Sequence, residues 1–196
     1  MLNKIILASK SKVRAEILKK NRVDFEVLPS SIDEDNIKTS LLSEGATPQL
    51  ISKNLAELKA NSVSSKYYDK IVLGADSVID LDGELISKPK SRDEALEILK
   101  KLNGKKHFLI SSVCISKNGN MIWNYTDKST LTMKLLSDSD LSNYLSKLSD
   151  EIIYSYNVYQ IEGIGKTLFE DISGDKDSIM GLPILKINNY LKEIRC

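Results

Sequence analysis

Lys70-Ile71-Val72-Leu73-Gly74-Ala75-Asp76-Ser77-Val78-Ile79-Asp80-Leu81-Asp82-Gly83-Glu84-Leu85-Ile86-Ser87-Lys88-Pro89 is the stretch from which the rest of the chain can be laid out. Ile71, Val72 and Leu73 form a continuous apolar run, which predicts a strand buried on both faces. The run ends at Gly74-Ala75, and Asp76 follows where the strand is expected to emerge. Two small residues ahead of an acid leave room for a ligand beside the backbone. Open α/β sheets hold ligands beyond the carboxyl ends of their strands, so Asp76 stands where chemistry is usually done. The plainer alternative for this acid is a structural ion pair. Val78 and Ile79 resume an apolar strand, Asp82-Gly83 forms a turn, and Leu85-Ile86 leads back in a hairpin that brings Lys88 toward Asp76.

Upstream, Lys4–Ala8 predicts a first strand, followed by Ser9-Lys10-Ser11-Lys12-Val13-Arg14 and an amphipathic helix to about Lys20. Val13, Ile17 and Leu18 give the helix its apolar face, and Ser9 or Ser11 is its N-cap. A strand, a hydroxyl-rich turn and a helix N-terminus together form an anion site. Arg14 and the two serines are the candidates for phosphate contact there, because a guanidinium can grip phosphate oxygens bidentately. Lys10 and Lys12 read as solvated. Asp24–Leu28 predicts a second strand, and Ser31–Asp35 an acidic loop in which Asp33, Glu34 or Asp35 could share a magnesium ion with Asp76. Thr47-Pro48 opens a helix whose buried stripe is expected at Leu50, Ile51, Leu55 and Leu58, with Lys59 in its last turns.

Downstream, Ser91-Arg92-Asp93-Glu94 is a capping box for a helix that stops near Asn103-Gly104. His107, the single histidine, begins the strand Phe108–Ser116 and reads as structural. Asn118-Gly119 turns the chain into Met121–Tyr125, and Ser129–Leu135 alternates as another strand. Ser137–Asp140 caps a helix to about Leu148. Tyr154–Gly165 is rich in tyrosine and then glycine, suited to a loop beside a ligand, with tyrosines that pack or line it. Thr167–Ile172 reads as a strand, and Gly181-Leu182-Pro183 opens the last helix.

The 196 residues suffice for one substantial core or two small lobes, and 41% hydrophobic with 28% charged residues describes an ordinary globular chain. A formal charge of +1 provides no field for collecting nucleic acid. No apolar run spans a bilayer, and the first residues are too short for a signal peptide. Cys114 and Cys196 make neither a disulfide framework nor a zinc site. The expectation is a single cytoplasmic domain without nucleic-acid or membrane partners.

Over nearly the whole chain these residues resemble the Maf family. The resemblance rests on Leu7-Ala8-Ser9-Lys10-Ser11 with Arg14, Lys59-Ala60, Gly74-Ala75-Asp76, Lys88-Pro89, Tyr159-Gln160-Ile161-Glu162-Gly163 and Gly181-Leu182-Pro183. It implies an elongated mixed α/β fold of the Maf and inosine-triphosphatase type, two lobes around a central cleft, and a homodimer. It also implies nucleoside triphosphate hydrolysis between the α and β phosphates, dependent on a divalent cation (Mg²⁺ or Mn²⁺), giving a nucleoside monophosphate and pyrophosphate. By the same resemblance Asp76 is the catalytic acid and, with Glu34, a metal ligand. Ser9, Ser11, Arg14, Lys59 and Lys88 take the substrate-binding positions.

The departures from the family pattern concern the base. The branch that prefers dTTP and UTP carries an arginine, a threonine and a glutamine where this chain has Val13, Ser77 and Glu162. Glu162 is similar to the branch that prefers 7-methyl-GTP, whereas Val13 lacks that branch's stacking surface. A modified purine stands ahead of dTTP or UTP on this comparison. The family's Ala-Gly-Ala-Tyr is replaced by Tyr156-Asn157-Val158-Tyr159, and a nucleotide-binding regulator of cell division with vestigial catalysis is the competing reading.

Overall fold

The computed structural model describes residues 4–155 and 158–194. Its strands are β1 (Ile5–Leu7), β2 (Phe25–Val27), β3 (Val72–Leu81), β4 (Glu84–Ile86), β5 (Lys106–Lys117), β6 (Asn120–Met133) and β7 (Phe169–Ser173). Its helices are α1 (Lys12–Lys20), α2 (Glu34–Ser43), α3 (Pro48–Ser64), α4 (Arg92–Leu102), α5 (Asp138–Ser146), α6 (Asp150–Ser155), α7 (Lys176–Ile179) and α8 (Ile184–Glu193). The strands form one mixed seven-stranded sheet in the order β2-β1-β3-β5-β6-β7, with β4 attached to β3. β1 runs parallel to β2 and β3, and the remaining pairs are antiparallel.

The pairing along β3 creates the site. β1 covers one end of its edge through Val72 and Leu73, and β4 covers the other from Ile79 to Leu81. Between them, Gly74–Val78 have β5 on one side and, among the described residues, no strand on the other. The apolar core divides at the same place. Leu73 and Ala75 pack with Ile17, Leu18, Ile184 and Leu191, whereas Ile79 and Leu81 pack with Leu99, Leu131, Leu141 and Tyr159. Asp76 lies between the two clusters, so the two-lobed mixed α/β expectation holds.

Gly74 explains how a helix reaches this point. A Cβ there would lie 2.2 Å from the Ala56 carbonyl oxygen and 2.7 Å from the Ala60 nitrogen. The α3 backbone therefore rests directly on β3, which only glycine permits. Side chains two apart on a strand share a face, so Asp76 points toward the same helix.

Several expectations need correction. Gly74-Ala75 does not end a strand: β3 continues unbroken, and Asp76 lies in its middle rather than at a carboxyl end. The acidic stretch is not a loop beyond Asp33, because Asp33 Oδ1 accepts from Asn36 N at 3.1 Å and starts α2. This helix buries no residue, so it carries no apolar stripe to betray it. On α3 the buried stripe includes Ile51 and Leu55 but not Leu50 or Leu58, which are exposed; Ser52 and Lys59 are buried instead. That face meets both the apolar sheet, through Ile51, Leu55, Ala56 and Ala60, and the polar site, through Ser52 and Lys59. β6 is one long strand, where the sequence suggested two. Thr167 belongs to a short 3-10 turn, Ile164–Leu168, ahead of β7, and Leu148 lies between α5 and α6. The caps at Ser11, Thr47, Ser91 and Ser137 all form, the last with Asp140 as a reciprocal box; at Ser91 the Glu94 carboxylate reaches Lys90 N instead.

Candidate active site

A cleft of about 640 Å³ opens at the uncovered edge of β3, within the range of small-molecule sites. Asp76 is buried beneath it, and its neighbour in space is Lys59 of α3. Lys59 Nζ lies 2.9 Å from Asp76 Oδ1 and 2.8 Å from Glu34 Oε2, so one ammonium bridges the two carboxylates. The Asp76 carbonyl oxygen accepts from Ser52 Oγ at 3.3 Å. Asp76 Oδ2 is buried and has no hydrogen-bond partner among the described residues. A buried polar atom left unsatisfied costs stability, and such an atom in a cleft is available to a ligand.

Arg14 reaches the cleft from the other side of the sheet. Its guanidinium donates from Nε to the Gly181 carbonyl at 3.0 Å and from Nη1 to Ser9 Oγ at 3.1 Å. Nη1 also donates to the Ala75 carbonyl at 2.9 Å, and Nη2 to Ser77 Oγ at 3.0 Å. Of five N–H donors only one lacks an acceptor among the described residues, so the bidentate phosphate grip expected of Arg14 is already used within the protein. What Arg14 offers is a pinned positive charge with a single free donor. Gly181 makes this possible: its φ of +96° suits glycine, and a Cβ would lie 3.1 Å from Ser77 Oγ and 3.3 Å from Arg14 Nε.

The remaining groups follow. Ser9 Oγ accepts from Ser11 N at 3.3 Å, and Ser11 Oγ accepts from Arg14 N at 3.3 Å, which holds the start of α1 in place. Lys88, after β4, lines the cleft. Burial and the nearby charges of Arg14 and Lys38 push its ammonium below the usual lysine range, against the attraction of Glu34 and Asp76. Burial raises the Glu34 carboxyl, but Lys59, through charge and hydrogen bond, together with Lys38 and Lys88, holds it below the usual range. Arg14 is likewise lowered by burial, opposed by Asp76 and Glu34.

Among the residues expected to set specificity, Ser77 and Glu162 line the cleft, and Gln160 Nε2 donates to Glu162 Oε1 at 3.0 Å. Val13 does not; it packs against the core beside Ile17 and Leu18. His107 is buried with Nε2 3.0 Å from the Tyr159 hydroxyl, in the structural role expected. Tyr159 is buried with it, while Tyr154 lines the cleft. Tyr156, Asn157 and Cys196 lie outside the described residues. Lys12, expected to be solvated, is exposed but pairs with Glu151 at 3.0 Å. Sequence reasoning missed Lys38, one turn after Glu34 on α2, and the carbonyl of Gly181. The first needed α2 to be seen as a helix, and the second is a contact across 167 residues.

Of the three neighbouring acids, Glu34 alone lines the cleft. No group of three or more His, Cys, Asp or Glu is placed to hold a metal among the described residues. Magnesium is commonly held by one or two carboxylates plus substrate phosphates, so the carboxylates of Glu34 and Asp76, the latter with an oxygen still unpartnered, fit a cation that arrives with a nucleotide.

The chain matches the family described as Maf-like protein over residues 4–194. It is 63% identical over 195 residues, all of both chains, to a nucleoside triphosphate pyrophosphatase of Pelagibacter ubique (strain HTCC1062). It is 35% identical to a 7-methyl-GTP pyrophosphatase of Brucella abortus biovar 1 (strain 9-941), over all of this chain and 98% of the other. Among solved structures it is similar to the Staphylococcus aureus Ham1 protein, with a TM-score of 0.44 and 18% identity over 69% of this chain and 73% of that one. With residues 4–194 matched by the family pattern and a relative 63% identical over its full length, the chain belongs to the Maf family.

Proposed function

We propose that the chain is a nucleoside triphosphate pyrophosphatase, cleaving the bond between the α and β phosphates to give a nucleoside monophosphate and pyrophosphate. The observation that carries this is Asp76: a buried carboxylate with one oxygen held by Lys59 and the other unpartnered, at the edge of a cationic cleft. Family membership and the activity named for the Pelagibacter relative support it.

Phosphoryl transfer is mostly positioning and charge neutralisation. Arg14, Lys38, Lys59 and Lys88 stand against Glu34 and Asp76, which leaves about two positive charges for a triphosphate of about −4. The difference is the charge of one divalent cation. Glu34 and Asp76 would hold that cation, which supplies charge neutralisation and lowers the pKa of water when bound. Asp76 Oδ2 accepts the proton of the attacking water, whose oxygen bonds to phosphorus at the α–β bridge as the bridging P–O bond breaks. With the water on the α phosphorus, the electron pair of that bond stays on the bridging oxygen and leaves with pyrophosphate. Lys59 orients Asp76 through its contact with Oδ1, and Ser9, Ser11, Arg14 and Lys88 hold the phosphate chain.

For the base, Glu162 favours a ring edge with N–H donors, and its carboxylate suits a cationic methylated purine. Gln160 holds that carboxylate through one oxygen, and the name of the Brucella relative supports a 7-methyl-GTP-like substrate. A cytoplasmic homodimer belongs to the same family-based reading. No helix of the described residues is long and apolar enough to cross a membrane.

The test is a panel of canonical and methylated triphosphates with Mg²⁺ or Mn²⁺. Pyrophosphate and monophosphate in equal amounts, fastest with a methylated purine, are expected. Release of single phosphates would overturn the assigned bond, and a preference for dTTP or UTP would overturn the base.

A further inference from the structure

We infer that Ser77 donates its hydroxyl proton to a phosphate oxygen of the nucleotide, beside the spare N–H of Arg14, and that Ser111 is the positioning residue that aims it. The inference rests on the pyrophosphatase reading for the identity of the ligand. It moves Ser77 from the base, where the family resemblance placed it, to the phosphate chain.

A serine hydroxyl has one proton to give and two lone pairs to fill. Ser77 on β3 and Ser111 on β5 stand opposite each other in the antiparallel register, and their Oγ atoms lie 3.0 Å apart. Ser77 Oγ also accepts from Arg14 Nη2 at 3.0 Å, since a guanidinium can only donate. Ser111 is 1% exposed, and among the described residues Ser77 Oγ is its one side-chain partner. Were Ser77 the donor of that pair, the Ser111 proton would be buried without an acceptor, a state folded chains avoid. Ser111 therefore donates. Both lone pairs of Ser77 are then filled, and its own proton is left over. Ser77 is half-buried and lines the cleft, so that proton is offered to whatever occupies it.

The same count on Arg14 puts its spare donor on the neighbouring atom. Nε–H goes to Gly181, the two N–H groups of Nη1 go to Ser9 and Ala75, and one N–H of Nη2 goes to Ser77. The second N–H of Nη2 has no acceptor among the described residues. A spare N–H and a spare O–H thus sit on atoms 3.0 Å apart and together replace the grip that the guanidinium alone no longer has. One of the two donors belongs to a cation, which suits an anionic oxygen better than the neutral carbonyl of a base. Asp76 and Ser77 are adjacent on β3, so their side chains leave on opposite faces. A phosphate chain lying across the uncovered edge of β3 meets Asp76 from one face and Ser77 with Arg14 from the other.

The test measures binding of the uncleavable α,β-methylene analogues of a guanine and a thymine triphosphate by titration calorimetry. Wild type, Ser77→Ala, Ser111→Ala and the double variant are compared, with kcat and KM for the cleavable forms. Ser77→Ala removes a hydrogen bond to a charged oxygen, so both analogues should bind about 10-fold more weakly, and equally so. Ser111→Ala should weaken both by about 2- to 5-fold, the scale of a neutral hydrogen bond. KM should rise in step with kcat held within about twofold, because the contact is made before and during reaction alike. In the Ser77→Ala background Ser111→Ala should add nothing, a dependence that a merely structural serine would not show. Losses that differ between the two bases by more than about threefold would return Ser77 to the base. Unchanged binding in Ser77→Ala, or additive losses in the double variant, would overturn the assignment. A wild type that binds the analogues but releases no pyrophosphate from the cleavable forms would overturn the pyrophosphatase reading and leave the phosphate contact standing.

Discussion

Replacing Lys59 with methionine keeps the length and apolar stem of the side chain and removes its charge. The ammonium lies 2.9 Å from Asp76 Oδ1, and both side chains are 8% exposed. At an effective dielectric of about 20 such a pair gains about 4–6 kcal/mol of gross Coulomb energy, much of it offset by desolvation. Deleting one member does not return the other to water. It leaves Asp76 buried with neither oxygen satisfied, since Oδ2 already lacks a partner. Breaking a buried pair in this way costs about 3–5 kcal/mol, and the half-exposed Glu34 contributes little more. In a chain of this size each kcal/mol lowers Tm by about 2–4 °C, so a fall of about 6–20 °C is expected. Asp76→Asn alone should cost less, because Lys59 still has Glu34. Urea unfolding of both single variants and the double variant, with constant m-values, gives the coupling between the two residues. A coupling above about 1 kcal/mol is expected. A Lys59→Met variant within about 1 kcal/mol of wild type, or a strictly additive double variant, would refute the reasoning.

Burial depresses the His107 imidazole to about 4, from an ordinary 6.5. The folded chain therefore resists protonation that the unfolded chain accepts, so stability is full above about pH 6.5 and falls by about 3 kcal/mol as pH drops toward 4. His107→Phe should flatten that slope in unfolding titrations, and an unchanged slope would contradict the assignment. Lys88, held below the usual lysine range, should regain its proton when a polyanion binds. Calorimetry at alkaline pH in buffers of different ionisation enthalpy should thus show proton uptake with pyrophosphate, reduced in Lys88→Gln. Gly74→Ala drives a methyl into the Ala56 carbonyl, which should cost at least about 1–3 kcal/mol and lower kcat by displacing Lys59 from Asp76. Wild-type stability and kcat in that variant would show that the close helix–strand contact is not needed.

Much of this arrangement was legible before any coordinates. Helix starts at Ser11, Thr47, Ser91 and Ser137 followed from local hydrogen-bonding chemistry, and the Asp82-Gly83 turn from its need for positive φ. Ser9 and Arg14 stood out because their residue types suit anion chemistry at a helix start, and Asp76 because an acid follows two small residues. The failures share a cause in tertiary contact. Gly74 looked like a strand end because its role, making room for Ala56, belongs to another element. α2 looked like a loop because it has no buried face and is held by its Asp33 cap. Leu50 and Leu58 looked buried because their apolar spacing is a local signal, whereas the face of α3 that is covered is the one whose Ala56 and Ala60 lie against Gly74. Arg14 looked free to grip phosphate because its acceptors, Ala75 and Gly181, lie far along the chain.

The central claim is that Asp76 Oδ2 takes the proton of the water that splits the nucleotide. Parallel measurement of nucleotide binding and pyrophosphate release in Asp76→Asn tests it most directly. The account predicts triphosphate binding within about threefold of wild type and pyrophosphate release slowed by at least about 10²-fold, the scale of a lost general base. Release within tenfold of wild type, with binding intact, would contradict it.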